Sequence, residues 1–179
     1  MKKLTLSISR YATFQAVAMK TAYHGVRTAD AETLYDKVAT VNADDALLDV
    51  FWRDCCASAD SLFGEYGFGL ACRNYDADYH VLLQMTDNWP SMQKSMIEVA
   101  LQGFFVETMV ARWMSIVMPE AENRYSALAD KQMALVRNGL EARIRKPRPQ
   151  CQPIHKKTIE NEDKNDNSNH SVVETADSL

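Results

Sequence analysis

The sequence lacks the glycine-rich loops that bind nucleotide phosphates. It contains no GxxxxGK[ST] motif and no GxGxxG between a strand and a helix, and "FGEYGFG" has neither a basic residue nor a helix start. The segment "NYDADYHVLLQM" begins like a calcium loop, but Tyr79 stands where that loop needs glycine and Met85 where it needs glutamate. We therefore interpret both segments as turns and expect no nucleotide or calcium site.

Cysteine is scarce and has no metal-binding spacing. The four residues are Cys55, Cys56, Cys72 and Cys151, and no CxxC pair occurs. We expect reduced thiols, without a disulfide framework or a zinc site. Cys55 or Cys56 with His80 is a candidate nucleophilic pair, and Cys72 with His80 a candidate part of a metal site, yet the flanking residues form no nucleophile motif. We therefore predict core cysteines, with no metal, no cofactor and no catalytic residue.

Long apolar runs and an excess of positive charge are also missing. The start, "MKKLTLSISRYATFQAV", has no apolar stretch long enough for a signal peptide. The most apolar segment, residues 99–118, contains Gln102, Glu107 and Arg112, which are costly in hydrocarbon. We expect a buried helix of a soluble protein and no membrane contact, with Arg112 or a neighbouring subunit as the partner of Glu107. The net charge of −4 leaves any attraction to phosphate to local surfaces.

The patterns that are present predict a mainly α protein: a small helical bundle with a long apolar central helix, a minor β element and an extended C-terminal tail. The alternation in "LTLSIS" predicts a strand, and "LACRNYDADYHVLLQM" predicts a hairpin, although Val81 to Leu83 could also be helical. We place the helical domain at residues 1–149. Residues 150–179 carry three lysines against six acidic residues and few core-forming side chains, which is typical of a polar tail.

Five helices follow from apolar spacing and from proline and capping signals. The first covers residues 10–25, and the second "DAETLYDKVATV". The third starts near Asn42 or Asp44 and has an apolar face formed by Leu47, Leu48, Phe51, Cys55, Ala59 and Leu62. Pro90 opens the central helix, which extends to Met118 and is apolar almost all round. Pro119 opens the last helix, and Pro147 and Pro149 end it.

Positive charge collects where the last helix ends. The residues Arg143, Arg145, Lys146 and Arg148, called the basic strip below, lie within "ARIRKPRP". Part of this charge complements the helix dipole. Arg148 lies beyond Pro147, where that explanation no longer applies, so the strip is suited to an acidic protein surface or to nucleic acid. A solvated helix end is the alternative interpretation.

Three stretches resemble the head–tail connector, or adaptor, proteins of tailed bacteriophages, and in particular a group from phages and prophages of gut Bacteroidales. They are "FQAVAMKTAYHG" with the acidic helices after it, "SMQKSMIEVALQGFFVETMVARWMSIVMPE", and "YSALADKQMALVRNGLEARIRKPRP". The resemblance covers about residues 10–149. It implies a ring subunit, typically of a twelvefold ring beneath the portal, that prolongs the DNA channel and joins the head to the neck or tail.

The resemblance also implies partners and contact residues. The partners are the portal protein, neighbouring copies, a downstream neck or tail protein, and DNA that passes through without sequence-specific contact. The basic strip would dock on a partner, and Phe104, Trp113 and Met114 of the apolar helix would contact adjacent subunits. The protein would be a structural component of the virion neck, present in the host cytoplasm during assembly, and not an enzyme.

Two alternatives from other classes stay open at this stage. The first is a helical DNA-binding or regulatory module that uses residues 143–148. Salt-dependent DNA affinity would identify it. The second is an enzyme that uses Cys55, Cys56 or Cys72, which native thiol labelling would test.

Overall fold

A small antiparallel sheet and four helices form the part of the chain that the computed structural model describes, residues 2–26, 38–41, 44–65, 70–71 and 76–143. The elements in chain order are β1 (Lys2–Ile8), α1 (Arg10–Val26), α2 (Asp45–Glu65), β2 (Leu70–Ala71), β3 (Tyr79–Met85), α3 (Gln93–Val117) and α4 (Pro119–Glu141). The predicted mainly α fold with a minor β element is confirmed. Met1–Arg145 form one compact unit, and a second unit, Lys146–Leu179, lies outside the described residues.

The sheet is built around β3, which pairs with β1 along its whole length and with the two-residue β2 on its other edge. Leu4 faces Leu83 and Ile8 faces Tyr79 in the antiparallel register. Alternate residues of β1 and β3 are buried, while those between them are exposed or half-buried. This period of two puts one face of the sheet on the core. The predicted hairpin is confirmed, and Val81 to Leu83 belong to a strand.

The central helix α3 packs mainly against α4, which returns antiparallel to it after a single connecting residue, Met118. Pro119 occupies the first helical position of α4, as predicted, where its missing N–H costs no hydrogen bond. Glycines allow the two helices to approach closely. A Cβ at Gly139 would lie 2.6 Å from Cγ1 of Ile97, and one at Gly103 would lie 3.0 Å from the side chain of Gln132.

An aromatic cluster joins α3 to the sheet and to α2. The Phe105 ring lies 4.9 Å from that of Trp52 and 5.5 Å from that of Tyr79, measured between centroids. The apolar face predicted for the third helix is confirmed, since Leu48, Phe51, Cys55, Ala59 and Leu62 of α2 are buried. Burial of such large apolar surfaces is the main source of stability. The core therefore lies between the sheet, α1, α2 and α3, and α4 packs along α3.

Two tryptophans connect the helices to the segments between them. The indole Nε1 of Trp113 donates to the carbonyl oxygen of Val38 at 2.6 Å, and that of Trp89 donates to the carbonyl oxygen of Gly139 at 2.9 Å. Both indoles are buried, where an unpaired N–H would be costly. Most of the helix predicted at residues 30–41 lies outside the described residues, but Val38 is buried.

Candidate functional site

The basic strip begins at the end of α4, and Arg143 is its member within the described residues. The Arg143 guanidinium donates through Nη1 to the carbonyl oxygens of Leu140, at 3.0 Å, and Ala142, at 2.8 Å. Carbonyls in the last helical turn have no partner within the helix, so this cation caps the C-terminus of α4. Arg143 is nevertheless exposed. Arg145, Lys146 and Arg148 lie outside the described residues.

The three predicted subunit-contact residues lie inside the chain's own core. Phe104 and Trp113 each keep 7% of their surface exposed, and Met114 keeps none. Trp113 is further held by its bond to Val38, and Phe104 lies against Phe105 in an edge-to-face pair. The side chains of Trp113 and Met114 therefore stabilise the chain's own core. Other residues of α3 must therefore meet any neighbour.

Three exposed apolar residues form a row at the N-terminal end of α3, away from these core side chains. Met92, at 83% exposed, precedes the helix, and Val99, at 73%, lies two turns into it, with Met96 between them. Their spacing of four and then three residues puts them in one row. Exposed Leu135 of α4 lies in the stretch that packs on this part of α3, because Met96 approaches Gly139 and Gly103 approaches Gln132. We call these four residues (Met92, Met96, Val99 and Leu135) the methionine patch.

The methionine patch and Arg143, the first residue of the basic strip, occur at the same end of the α3–α4 pair. The Cε of Met96 lies 3.3 Å from the Cβ position of Gly139, and Arg143 follows Gly139 by one helical turn. Methionine side chains adapt their shape to a partner, and contiguous exposed apolar surface is typical of interaction sites. An apolar patch beside positive charge suits a partner with an apolar, acidic surface.

A buried polar cluster fixes α1 against α3 and α4. Glu107, inside the apolar helix α3, forms an ion pair with Lys20 of α1, and not with Arg112 as expected. Arg112 pairs instead with Asp54 of α2. Since Glu107 is 7% exposed, the ammonium group offsets the cost of taking its carboxylate out of water. The ion pair links α1 to α3, and this structural role is enough to explain it.

His24 extends this cluster at the start of α4. Its Nδ1 lies 2.9 Å from the hydroxyl of Tyr125 and its Nε2 lies 3.4 Å from Sδ of Met118. Because a thioether can only accept, Nε2–H donates to Met118, and Nδ1 then accepts from the Tyr125 hydroxyl. Burial raises the pKa of Tyr125, Arg124 opposes this, and the Glu107 carboxylate adds to it. Tyr125 thus remains a neutral donor at neutral pH.

A groove with a volume of about 590 Å³ lies between α2, α3 and α4. Its lining consists of Ser58, Phe104, Thr108, Ala111, Arg112, Glu122, Ser126, Ala129, Asp130 and Met133. Hydroxyls and carboxylates supply polar contacts there, but this lining includes neither a histidine nor a cysteine.

The two cysteines of α2 are buried, as the sequence predicted for core residues. Burial raises the pKa of Cys55 and of Cys56 to about 12 in each case, so both thiols stay protonated at neutral pH. Cys72 lies outside the described residues. Within the described residues, no three His, Cys, Asp or Glu side chains are grouped so that they could hold a metal ion. None of the helices described there is long and apolar enough to cross a membrane.

The comparisons with known proteins leave the function to be argued from this geometry. No family model, no curated protein and no solved structure matches the chain.

Proposed function

We propose that this chain is a head–tail connector subunit of a tailed bacteriophage. In this proposal, copies of the chain form a ring beneath the portal, prolong the DNA channel and join the head to a downstream neck or tail protein. DNA passes through the ring without sequence-specific contact. The protein acts as a structural component of the virion neck, assembled in the host cytoplasm, and carries out no catalysis.

The methionine patch beside the first residue of the basic strip is the observation that carries this proposal. A ring subunit has to present apolar surface to its neighbours and to the portal while its own fold stays intact. Met92, Met96 and Val99 are exposed in one row at the start of a helix that has twelve buried residues further along and on its other sides. The proposed contacts between subunits therefore use this row and not Phe104, Trp113 or Met114.

The basic strip supplies the charged part of the proposed docking. Arg143 keeps an exposed guanidinium while it caps α4, and Arg145, Lys146 and Arg148 add three positive charges directly after it in the sequence. Charge on the rim of an interface contributes mainly to the rate of association and to specificity, whereas the buried apolar part supplies most of the affinity. The patch would anchor the contact, and the strip would select an acidic partner surface.

The test is the mass of the particles formed when the purified full-length protein is mixed with the portal ring of the same phage. Native mass spectrometry should show a fixed number of copies per portal ring. A protein that neither forms a ring nor joins the portal would contradict the proposal. Tight, salt-dependent binding to duplex DNA by the same preparation would instead support the regulatory module.

A further inference from the structure

The outward face of α1 carries large side chains without charge although it lies on the surface. Tyr11, Met19 and Tyr23 are 74%, 58% and 71% exposed. With Gln15 they repeat every four residues, and this spacing places them along one side of the helix. Ala12 lies on the same side and is exposed. A surface helix normally presents charged and polar side chains to water, so a face of this composition suits a protein contact.

The charges of α1 are turned away from this face. Arg10 pairs with Asp49 of α2, and Lys20 pairs with Glu107 of α3. His24 lies against Tyr125 of α4. A second copy packed on the outward face would therefore meet no like charge from α1. Arg10 and Lys20 would keep their ion pairs with Asp49 and Glu107 in the dimer.

The residues of the outward face are arranged symmetrically about Val17. The segment "YATFQAVAMKTAY", residues 11–23, has identical residues at four of the six pairs of positions equidistant from Val17. Val17 itself is fully buried and points away from the outward face. The face therefore carries a tyrosine at each end, an alanine next to each tyrosine, and Gln15 and Met19 in the middle. A helix face of this kind has nearly the same shape when its direction is reversed.

We propose that the free protein forms a twofold dimer in which the outward face of α1 packs antiparallel on the same face of a second copy. A twofold contact uses one patch twice, so that patch has to be complementary to itself when reversed. Centred on Val17, the pairing brings Tyr11 level with Tyr23 of the second copy and Gln15 level with its Met19. Ala12 comes level with Ala22 of the second copy, and these small side chains allow the two helices to approach.

The size of the face limits the area that this dimer can bury. Two tyrosines bury roughly 150–250 Å² each when fully covered. The two tyrosines are not fully exposed in the monomer, so they contribute less than this maximum. Together with Met19, Gln15 and the alanines, they give each copy on the order of 500 Å² of surface that the dimer can bury. The total of about 1,000 Å² is at the lower limit for a specific interface. We therefore expect a dimer that dissociates in the micromolar range.

This dimer is independent of the proposed ring. A twofold antiparallel contact closes after two copies, whereas a cyclic ring needs a head-to-tail contact between different surfaces. The methionine patch on α3 and α4 is a separate surface. The α1 dimer is a state of the free chain, and its presence or absence leaves the portal experiment unaffected.

Sedimentation equilibrium of the full-length protein between about 1 and 300 µM tests the proposal. The wild type should change from monomer to dimer within this range. Met19→Glu should stay monomeric, because it places two carboxylates near the twofold axis. Ile116→Glu is the matched control, since Ile116 on α3 has the same 58% exposure, and it should dimerise like the wild type. Circular dichroism checks that both variants are folded.

Two results would overturn the proposal. One is a wild-type protein that stays monomeric at the highest concentration. The other is a dimer that Met19→Glu leaves unchanged, which would place the contact on another surface.

The orientation of the two helices in the dimer is tested with a short bismaleimide cross-linker in a background with Cys72 and Cys151 replaced by serine. A mixture of Tyr11→Cys and Tyr23→Cys proteins should cross-link to each other more than either does to itself, and the reverse would exclude the antiparallel arrangement.

Discussion

The indole of Trp89 donates a hydrogen bond to the carbonyl oxygen of Gly139 across 50 residues of sequence, at 2.9 Å. It connects the turn before α3 to the last turn of α4, at the end of the helix pair where the methionine patch and Arg143 occur. Lys2 of β1 donates to the carbonyl oxygen of Trp89 and ties the sheet to the same turn. The hydrogen bonds of Trp89 to Gly139 and of Lys2 to Trp89 thus hold in place the end of the helix pair that carries the methionine patch.

Replacing Trp89 with phenylalanine should destabilise the protein by about 1–3 kcal/mol, because the buried carbonyl of Gly139 loses its donor while most of the aromatic surface remains. Urea unfolding followed by circular dichroism measures this change. Tyr23→Phe serves as a control at an exposed site and should change stability by no more than about 0.5 kcal/mol. Equal stabilities for the two variants would show that the indole bond contributes nothing.

Gly139→Ala should cost about 1–3 kcal/mol, since its methyl group would lie 2.6 Å from Cγ1 of Ile97 and would force the two helices apart. Gly64→Ala in α2 is the control, because a Cβ there meets nothing within 4 Å. That variant should gain up to about 1 kcal/mol from the lower flexibility of alanine in a helix. The double variant Gly139→Ala, Ile97→Ala should be less destabilised than the sum of its two single variants, because removing the Ile97 side chain also removes the clash. Additive effects would argue against a clash.

Lys20→Met should destabilise the protein by about 1–3 kcal/mol because it leaves the buried carboxylate of Glu107 without its cation. The lysine side chain is 42% exposed, so we expect less than the full cost of breaking a buried pair. Lys20→Met with Glu107→Leu should be more stable than Lys20→Met alone, since the unpaired charge is removed as well. Denaturant titration of all three proteins measures these differences. A single variant as stable as the wild type would contradict a structural role for the pair.

Cys55 and Cys56 should make stability fall at alkaline pH. Their pKa is about 12 in the folded protein against an ordinary value of 9.0, so the folded state holds these protons where the unfolded state releases them. The contribution is therefore complete below pH 9 and is lost as the pH rises toward 12. The slope of unfolding free energy against pH between 9 and 11 should be shallower in a Cys55→Ala, Cys56→Ala variant. Identical slopes would show that these thiols do not titrate as expected.

The same two thiols should resist alkylation in the native protein at pH 8 and react after unfolding. Replacing Cys72 and Cys151 with serine leaves Cys55 and Cys56 as the remaining thiols, so a colorimetric thiol assay reports on them alone. Rapid labelling of the folded protein would reveal an accessible thiolate and revive the interpretation as a cysteine enzyme.

Local patterns in the sequence predicted much of the fold. Alternation identified β1, a turn signal between two apolar arms identified β3 while leaving a helix there open, and spacing of three and four residues identified the buried face of α2. Pro119 marked the start of α4. Each of these signals lies within a few residues of the feature that it predicts, because side-chain period and proline geometry are local properties. The mainly α architecture could therefore be predicted without knowing which helices pack against each other.

The surface of α3 could not be predicted in the same way. The helix is apolar on nearly all sides, so its sequence does not show which side its own chain covers. Trp113 is buried and bonded to Val38, 75 residues away, whereas Val99 is left exposed. For the same reason the partner of Glu107 was expected nearby, at Arg112, whereas it is Lys20, 87 residues away. Contacts between residues distant in sequence determine both which side of α3 is covered and which cation pairs with Glu107.

The measurement that tests the docking surface most directly compares the binding of two variants to the portal ring. Val99→Glu puts a charge in the centre of the methionine patch, while Ile116→Glu puts the same charge at an exposed apolar position in the other half of α3. Both should fold as the wild type does. We expect Val99→Glu to lose stoichiometric binding to the portal and Ile116→Glu to keep it. Full binding by Val99→Glu, or equal loss in both variants, would contradict the assignment of this patch as the docking surface.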